Sequence, residues 1–157
     1  MNRRVASLAY TPVKGTILVR PRSVEVGPSG IPEDRLFHVL DANTHRQIGA
    51  SPKLLPIKSC YRPDTGELAL ELPSGEGAEA KVVLGDPVTA RIGWDKDRPL
   101  ESRVVCGPWS ELLSGYIGAE VSLSQVVRPE GAVDVEPITL VSHASIRRVE
   151  CQLGGQS

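Results

Sequence analysis

The sequence predicts a mainly β fold, a β-barrel with one or two short helices, followed by a C-terminal strand–helix segment. Three observations point to this fold class. Fifteen glycines and thirteen prolines are spread along the 157 residues and divide the chain into short segments. Aromatic residues make up only 4% of the chain, so its core must be aliphatic, and the abundant valines favour strands. Several segments alternate apolar and polar residues, as strands with one buried face do.

In the first half of the chain, short strands are separated by turns. The run 35–41 is the clearest internal strand, and His38 within it is interpreted as structural. Asp41 opens a hairpin turn over 41–44, because Asp and Asn are common turn residues. The predicted strands of this half are 4–10, 16–19, 23–26, 35–41, 45–48 and 54–61.

The second half adds strands and one helix. A Gly-Asp-Pro sequence at 85–87 is interpreted as a turn, and Pro108 suits the first turn of a helix over 107–118. Gly115 or Gly118 would end that helix. Its apolar face is predicted to comprise Trp109, Leu112, Leu113 and Tyr116. The predicted strands of this half are 67–72, 80–84, 88–92, 103–106 and 120–127.

Beyond residue 127 the chain changes character. We predict a barrel domain over 4–127, a polar linker over 128–136, and the incomplete start of a second domain over 137–157. That last part comprises a strand over 137–141 and a helix with Ser142 as its N-cap. The apolar stripe of this helix contains Ile146, Val149 and Leu153.

Composition excludes several classes of protein. A net charge of −1 argues against a nucleic-acid binder, and no stretch approaches the apolar length of a membrane span. The N-terminus lacks the apolar region of a signal peptide, so we expect a soluble, cytoplasmic protein. The three cysteines are far apart, and we expect them to be reduced and mostly buried thiols.

No common catalytic motif is present. The chain lacks a nucleophile elbow, a phosphate-binding glycine loop and a dinucleotide-binding motif, and its carboxylates are scattered. His45 lies beside a turn and is interpreted as solvated, whereas His143 follows the predicted helix N-cap and could face a site.

Three features indicate an anion site. Lys14 and the flexible Gly15 follow a strand end, and the guanidinium of Arg35 has the two-pronged geometry that suits phosphate. Ser142 begins a helix, where free N–H groups attract anions. Taken singly, each has an ordinary alternative: a solvated lysine, an Asp34–Arg35 surface pair, or a plain helix cap.

Taken together and in this order, these motifs resemble the MOSC family. The resemblance is strongest to members with an N-terminal MOSC β-barrel, including the mitochondrial amidoxime-reducing component and its bacterial relatives. It extends from about residue 4 to about residue 149. The motifs that carry it are 10–15 (YTPVKG), Gly30 with 34–37 (DRLF), 44–46 (THR) leading to 52–54 (PKL), 107–110 (GPWS) and 138–145 (ITLVSHAS).

The resemblance implies a protein that binds the molybdenum cofactor, a molybdopterin. In the family's pattern Lys14 and Arg35 would hold the pterin phosphate, while Ser142 and Ser145 would present hydroxyl and N–H groups. Gly15 stands where many relatives have serine. The implied parent activity is reduction of N-hydroxylated substrates with electrons from a partner protein carrying flavin, haem or iron–sulfur. The family's molybdenum-coordinating cysteine belongs to a part of the core that this sequence does not match, so catalytic residues and metal ligands stay unassigned.

Three hypotheses remain open. The chain is part of a molybdenum-cofactor oxidoreductase, as a fragment or as a subunit completed by another chain. Alternatively, it is a non-catalytic module that binds a phosphate-bearing ligand or a protein partner. Thirdly, it is a barrel that only assembles, with Lys14 and Arg35 solvated. Exposed apolar residues on the last helix would favour a partner chain or self-association.

Overall fold

The computed structural model describes residues 4–49, 51–92, 98–128 and 138–154. These residues form strands and helices in an order that confirms the mainly β class. The elements are β1 Phe37–Asp41, β2 Lys58–Arg62, β3 Glu67–Glu71, β4 Gly77–Lys81, β5 Val83–Ile92, β6 Arg98–Cys106, α1 Trp109–Ile117, β7 Val121–Val126 and α2 His143–Gly154.

The strands form two antiparallel sheets. One has four strands in the order β1-β7-β6-β5, and the other has three in the order β2-β3-β4. Segment 45–48 links the two edges of the larger sheet: Ile48 N donates to Val39 O (2.9 Å) and Gln47 N to Arg91 O (2.9 Å). The expected barrel therefore takes the form, in the described part of the chain, of two separate sheets, with isolated bridges joining the edges of the larger one.

Two clusters of aliphatic side chains form the core. The larger one joins the three-stranded sheet, α1 and one face of β1 and β7, with Trp109 and Phe37 at its centre. The smaller one lies within the four-stranded sheet and consists of Leu40, Ala90, Ile92, Leu100 and Val126. His38 is completely buried in β1, in agreement with the structural role predicted for it.

Helix α1 begins and ends close to the predicted positions. Pro108 precedes it, and Gly118 ends it at φ 75°, where its N–H donates to Ser114 O at 2.8 Å. The amino group of Lys53 donates to Ile117 O (2.5 Å), which places a cation at the negative end of the helix dipole. The four residues predicted for the apolar face of α1 all lie in the core or pack against it, and Ile117, which the prediction omitted, is buried as well.

Several predicted strands are absent from the described residues. Segments 4–10, 16–19 and 23–26 are irregular apart from isolated bridges such as Tyr10–Val19, since no neighbouring strand offers them a continuous ladder. Residues 138–141 likewise form no strand. The predicted linker over 128–136 lies outside the described residues except for Arg128, so the domain boundaries remain predictions.

The predicted turn at 85–87 is wrong. Strand β5 continues through it, and a bulge between Leu84 and Pro87 absorbs the irregularity. Arg103 on β6 donates from Nε to Gly85 O at 3.0 Å and anchors the bulge.

The prediction of mostly buried cysteines is also wrong. Cys60, Cys106 and Cys151 are free thiols, and all three are exposed. Cys60 follows the buried Ser59 in β2 and therefore points to the opposite, solvent-facing side of the sheet. Neither helix in the described ranges has the length and apolarity needed to cross a membrane.

Asp41 forms the predicted hairpin turn. Replacing Asp41 should make the thermal stability of the protein less dependent on pH. Its carboxylate accepts from Asn43 N (3.1 Å), Thr44 N (2.8 Å) and Thr44 Oγ1 (2.8 Å). These hydrogen bonds hold the pKa of the Asp41 carboxyl below its ordinary value of 3.8, and the bond from Thr44 N is the largest cause. A lowered folded-state pKa adds stability above the ordinary value, and this is lost as pH falls through the folded-state pKa. Asp41→Ala should therefore lower the Tm at neutral pH, by a margin that shrinks in acid.

Thermal unfolding followed by circular dichroism at several pH values measures this effect. The matched control is Asp64→Ala, because Asp64 is another exposed turn aspartate. A Tm difference between Asp41→Ala and the wild type that stays constant from neutral pH to strong acid would contradict the assignment.

Candidate functional site

A network of buried hydroxyl groups holds the loop that contains Lys14 and Gly15. Thr11 Oγ1 donates to Val13 O (2.9 Å) and lies 2.8 Å from Thr16 Oγ1. Thr16 Oγ1 lies 2.7 Å from Ser59 Oγ, which ties the loop to β2. Because Thr11, Thr16 and Ser59 are almost fully buried, their mutual hydrogen bonds satisfy groups that are costly to leave unpaired.

Gly15 is required by the backbone of this turn. It lies at φ 93°, a conformation that residues with a Cβ rarely adopt. A Cβ at this position would lie 3.5 Å from Leu54 Cδ1, so the turn packs directly on the core. Glycine at position 15 thus serves the backbone geometry in a place where serine would be strained.

The structure brings the segments of Lys14 and Arg35 together. Arg35 N donates to Thr11 O (2.6 Å) and Lys14 N donates to Phe37 O (2.9 Å). A third backbone hydrogen bond, from Phe37 N to Pro12 O, measures 2.9 Å. Residues 11–14 and 35–37 therefore run side by side, so the backbones that carry Lys14 and Arg35 are adjacent at the start of β1.

Asp34 positions the Arg35 guanidinium. Its Oδ2 accepts from Arg35 Nε (2.8 Å) and pairs with Nη2 (2.7 Å), while its Oδ1 accepts from Thr11 N at 3.0 Å. Both side chains are mostly buried, with exposed fractions of 20% for Arg35 and 15% for Asp34. Arg35 itself lies at φ 55°, an uncommon conformation for a residue other than glycine. Such strain is concentrated at functional sites in proteins.

The two serines predicted for the site belong to the start of helix α2. Ser142 caps α2 as predicted: its Oγ accepts from Ser145 N at 3.0 Å and lies 3.0 Å from Ser145 Oγ. All residues from 138 to 153 are exposed, and the contribution of Ser142 and Ser145 to the site stays a prediction. His45 and His143 are exposed as well.

Comparisons with family models, curated proteins and solved structures found no match. From the geometry alone, the candidate site consists of Lys14, Gly15, Asp34 and Arg35. In the described ranges no three His, Cys, Asp or Glu residues converge as metal ligands.

Sequence reasoning missed the residues that support this site. Thr11 and Thr16 flank the Lys-Gly turn, and their position beside a turn was a usable signal. Ser59 gave no such signal, because it lies 43 residues from Thr16 in the chain and meets it only through folding. Asp34 was considered only as the partner of Arg35 in an alternative surface pair, and the structure shows that it also accepts a hydrogen bond from the backbone of the other loop.

Tyr10, next to this loop, should titrate at unusually high pH. Its pKa is raised above 10.0, chiefly by burial and then by the charge of Glu33, with smaller effects from Cys60 and Asp34. A raised folded-state pKa adds stability that is fully present below the unfolded-state pKa and is lost as pH rises through the folded-state value. We therefore expect stability to fall in strong alkali, and less so in Tyr10→Phe.

Ultraviolet absorbance of the phenolate, taken as the difference between the wild type and Tyr10→Phe, measures this titration. Glu33→Gln should lower the Tyr10 midpoint, whereas Glu25→Gln, at an exposed glutamate, is the matched control. Equal midpoints in the wild type and Glu33→Gln would show that Glu33 does not act on the phenol.

Proposed function

We propose that this chain is a MOSC-family protein, or a portion of one, that binds the phosphate of the molybdenum cofactor through Lys14 and Arg35. The observation that carries the proposal is the pairing of two cationic residues on adjacent loops, joined by backbone hydrogen bonds. The motifs around both residues resemble those of the family, and Gly15 allows the tight turn that follows Lys14.

The residues present fit a phosphate group. The Arg35 guanidinium uses Nε and Nη2 on Asp34, so Nη1 is able to donate to an anion. A guanidinium held in a fixed orientation gives directed hydrogen bonds to phosphate, and a lysine adds a mobile point charge. Since Asp34 offsets one of the two positive charges, recognition would depend on directed hydrogen bonds more than on net charge.

The bound cofactor would supply redox chemistry, and the residues of this chain would anchor and orient its phosphate. The parent activity that we propose is reduction of N-hydroxylated substrates in the cytoplasm. A partner protein carrying flavin, haem or iron–sulfur would supply the electrons. We propose neither a metal ligand nor a catalytic residue among the described residues.

Cofactor retention in a cofactor-producing host tests this proposal. The purified chain should carry molybdenum by elemental analysis and show pterin fluorescence after acid release. The double variant Lys14→Ala, Arg35→Ala should lose both signals, because it removes the two cationic contacts while leaving the loop's backbone hydrogen bonds in place.

The matched control is Arg22→Ala, Lys81→Ala, which removes two positive charges from exposed positions away from the loops. It should retain the cofactor like the wild type. Cofactor retention by the Lys14, Arg35 double variant would refute the phosphate contact, and the absence of both signals in the wild type would refute cofactor binding by this chain.

A second candidate is a non-catalytic binding module completed by a partner chain or by a second copy. The observation that favours it is the exposure of apolar side chains from 138 to 153, among them Leu140 at 88% and Leu153 at 68%. Light scattering on the wild type and on Val149→Arg tests self-association. A wild-type dimer that Val149→Arg dissociates would support this candidate, and a monomer at all concentrations would exclude self-association through α2.

A further inference from the structure

Strand β4 is an edge of the three-stranded sheet, and its ladder with β3 shows which backbone groups it leaves free. Leu72 N donates to Glu76 O (2.7 Å) and Val82 N donates to Gly66 O (2.8 Å), one pair at each end of the ladder. Hydrogen-bonded pairs alternate with non-bonded pairs in antiparallel strands. With the observed register, the hydrogen-bonded positions of β4 are therefore the even-numbered ones.

The odd-numbered residues of β4 direct their backbone groups away from the sheet. These are Gly77, Glu79 and Lys81, and in the described part of the chain no other segment hydrogen bonds to their N–H or C=O groups. All three are exposed. A row of unpaired backbone groups at a sheet edge is a template for another strand.

A groove runs beside this edge, between the β3–β4 hairpin and helix α1. Its volume is about 390 Å³, and Leu72 and Ala78 line the hairpin side. Leu112, Gly115 and Tyr116 line the helix side. Gly115 leaves this wall open, because a Cβ built on it would meet no atom within 4 Å.

The charged residues that line the groove are all acidic. Glu76 and Glu111 both line it and both are exposed, whereas no lysine or arginine is among the described residues of its lining. A ligand that enters the groove therefore meets apolar side chains and negative charge together. Complementary charge on the partner would speed its association and select it over acidic sequences.

We propose that the free edge of β4 and this groove bind an extended, basic peptide segment of a partner protein. The segment adds as a fourth strand, and the exposed N–H and C=O groups of Gly77, Glu79 and Lys81 pair with its backbone. Alternate side chains of an added strand point to opposite faces of the sheet. One set therefore enters the groove, where its apolar members lie beside Leu112 and Tyr116 and its basic members reach Glu76 and Glu111.

The probe for this proposal is an octapeptide that carries valine and arginine in turn at its odd positions and threonine at its even positions, so that valine and arginine share one face. It carries a neutral fluorophore. Fluorescence anisotropy should show saturable binding that weakens as salt is raised, because salt screens the exposed glutamates. An octapeptide with glutamate in place of arginine should bind at least about tenfold more weakly, since like charges then face each other. A basic peptide that is N-methylated at alternate residues should also lose binding, because the edge that faces β4 then has no N–H donors.

Substitutions in the groove wall provide the first variant pair. Gly115→Arg fills the groove and places a positive charge in it, in a helix position where replacing glycine favours the helix. It should weaken binding of the basic peptide by about tenfold or more, from blocked contact and like charge. Gly49→Arg is the matched control: Gly49 is exposed, has equally open surroundings and lies outside the groove.

Substitutions at Glu79 provide the second pair and test strand addition itself. Glu79→Pro removes one outward N–H without breaking the ladder to β3, as prolines at sheet edges do. Glu79→Gln keeps that N–H while removing the same carboxylate and its ion pair with Arg62. Binding should be lost in the proline variant and kept in the glutamine variant, with circular dichroism showing that both fold.

Several results would overturn the proposal. Equal affinity for the basic and acidic octapeptides would remove the charge argument, and unchanged binding in Gly115→Arg would place the peptide elsewhere. Equal binding by Glu79→Pro and Glu79→Gln would exclude strand addition. A concentration-dependent dimer that Glu79→Pro dissociates would assign the edge to a second copy of the chain instead.

Discussion

Replacing Trp109 by alanine is expected to destabilise the protein more than any other single truncation in the core. Trp109 is completely buried and is the largest such side chain in the described residues. Its indole Nε1 donates to Leu68 O at 3.2 Å and so joins α1 to the three-stranded sheet. Truncation of a buried tryptophan costs about 3–5 kcal/mol. Because whole domains are stable by only about 5–15 kcal/mol, this loss takes up a large part of the total.

The ring of Trp109 also explains Gly107. A Cβ at Gly107 would lie 2.3 Å from Trp109 Cζ3, and Gly107 has φ 152°. The glycine therefore lets the backbone approach the ring closely as it enters α1. The cavity left by Trp109→Ala would be bordered by this backbone, which cannot easily collapse into it.

Urea unfolding followed by circular dichroism measures the Trp109 effect. Trp109→Phe is the control, because it keeps an aromatic ring in the core but removes the hydrogen bond to Leu68 O. It should lose less free energy of unfolding than the alanine variant. A loss below about 1 kcal/mol in Trp109→Ala, the size of an average substitution, would show that the ring does not hold the two parts together.

The sequence allowed the local elements to be predicted where local chemistry decides them. Pro108 and Gly118 bracket α1 because one suits a first helical turn and the other takes a left-handed conformation. Leu68 and Leu70 alternate with exposed or half-buried neighbours in β3, and the period of two identified that strand. Asp41 likewise forms the hairpin turn through its own side chain.

Elements that depend on distant partners were not predictable in this way. The run 4–10 alternates as well as β3 does, yet within the described ranges only Tyr10 of that run forms a β-bridge with another segment. Local residue preferences indicated a turn at 85–87, but pairing with β6 keeps β5 continuous through a bulge. Burial of Cys60 and Cys106 depends on which face of their strands is covered, and this is decided by how the sheets pack.

The same distinction holds for the candidate site. Lys14, Gly15 and Arg35 were selected from their motifs, whereas their proximity depends on Thr11 and Phe37, whose backbone groups link the two loops. The predicted contribution of Ser142 rested on helix capping. The capping is confirmed, and the contribution of Ser142 to the site stays a prediction.

Replacing Arg35 by glycine is expected to remove cofactor binding while leaving the fold intact. The side chain that the proposal assigns to the phosphate is lost. The strained backbone at φ 55° is relieved at the same time, because glycine adopts this conformation freely. The ion pair with Asp34 is lost as well, and this opposes the gain. We therefore expect the free energy of unfolding to stay within about 1 kcal/mol of the wild type.

Arg35→Ala separates the two effects. It loses the same ion pair but keeps a Cβ at positive φ, so it should be less stable than Arg35→Gly by about 1 kcal/mol. Urea unfolding compares the stabilities, and elemental analysis for molybdenum compares cofactor retention. Both variants should lose the cofactor, although only Arg35→Ala is destabilised. If Arg35 had a purely structural role, cofactor loss would instead follow the loss of stability. Greater stability of Arg35→Ala than Arg35→Gly would show that the backbone at this position is not strained.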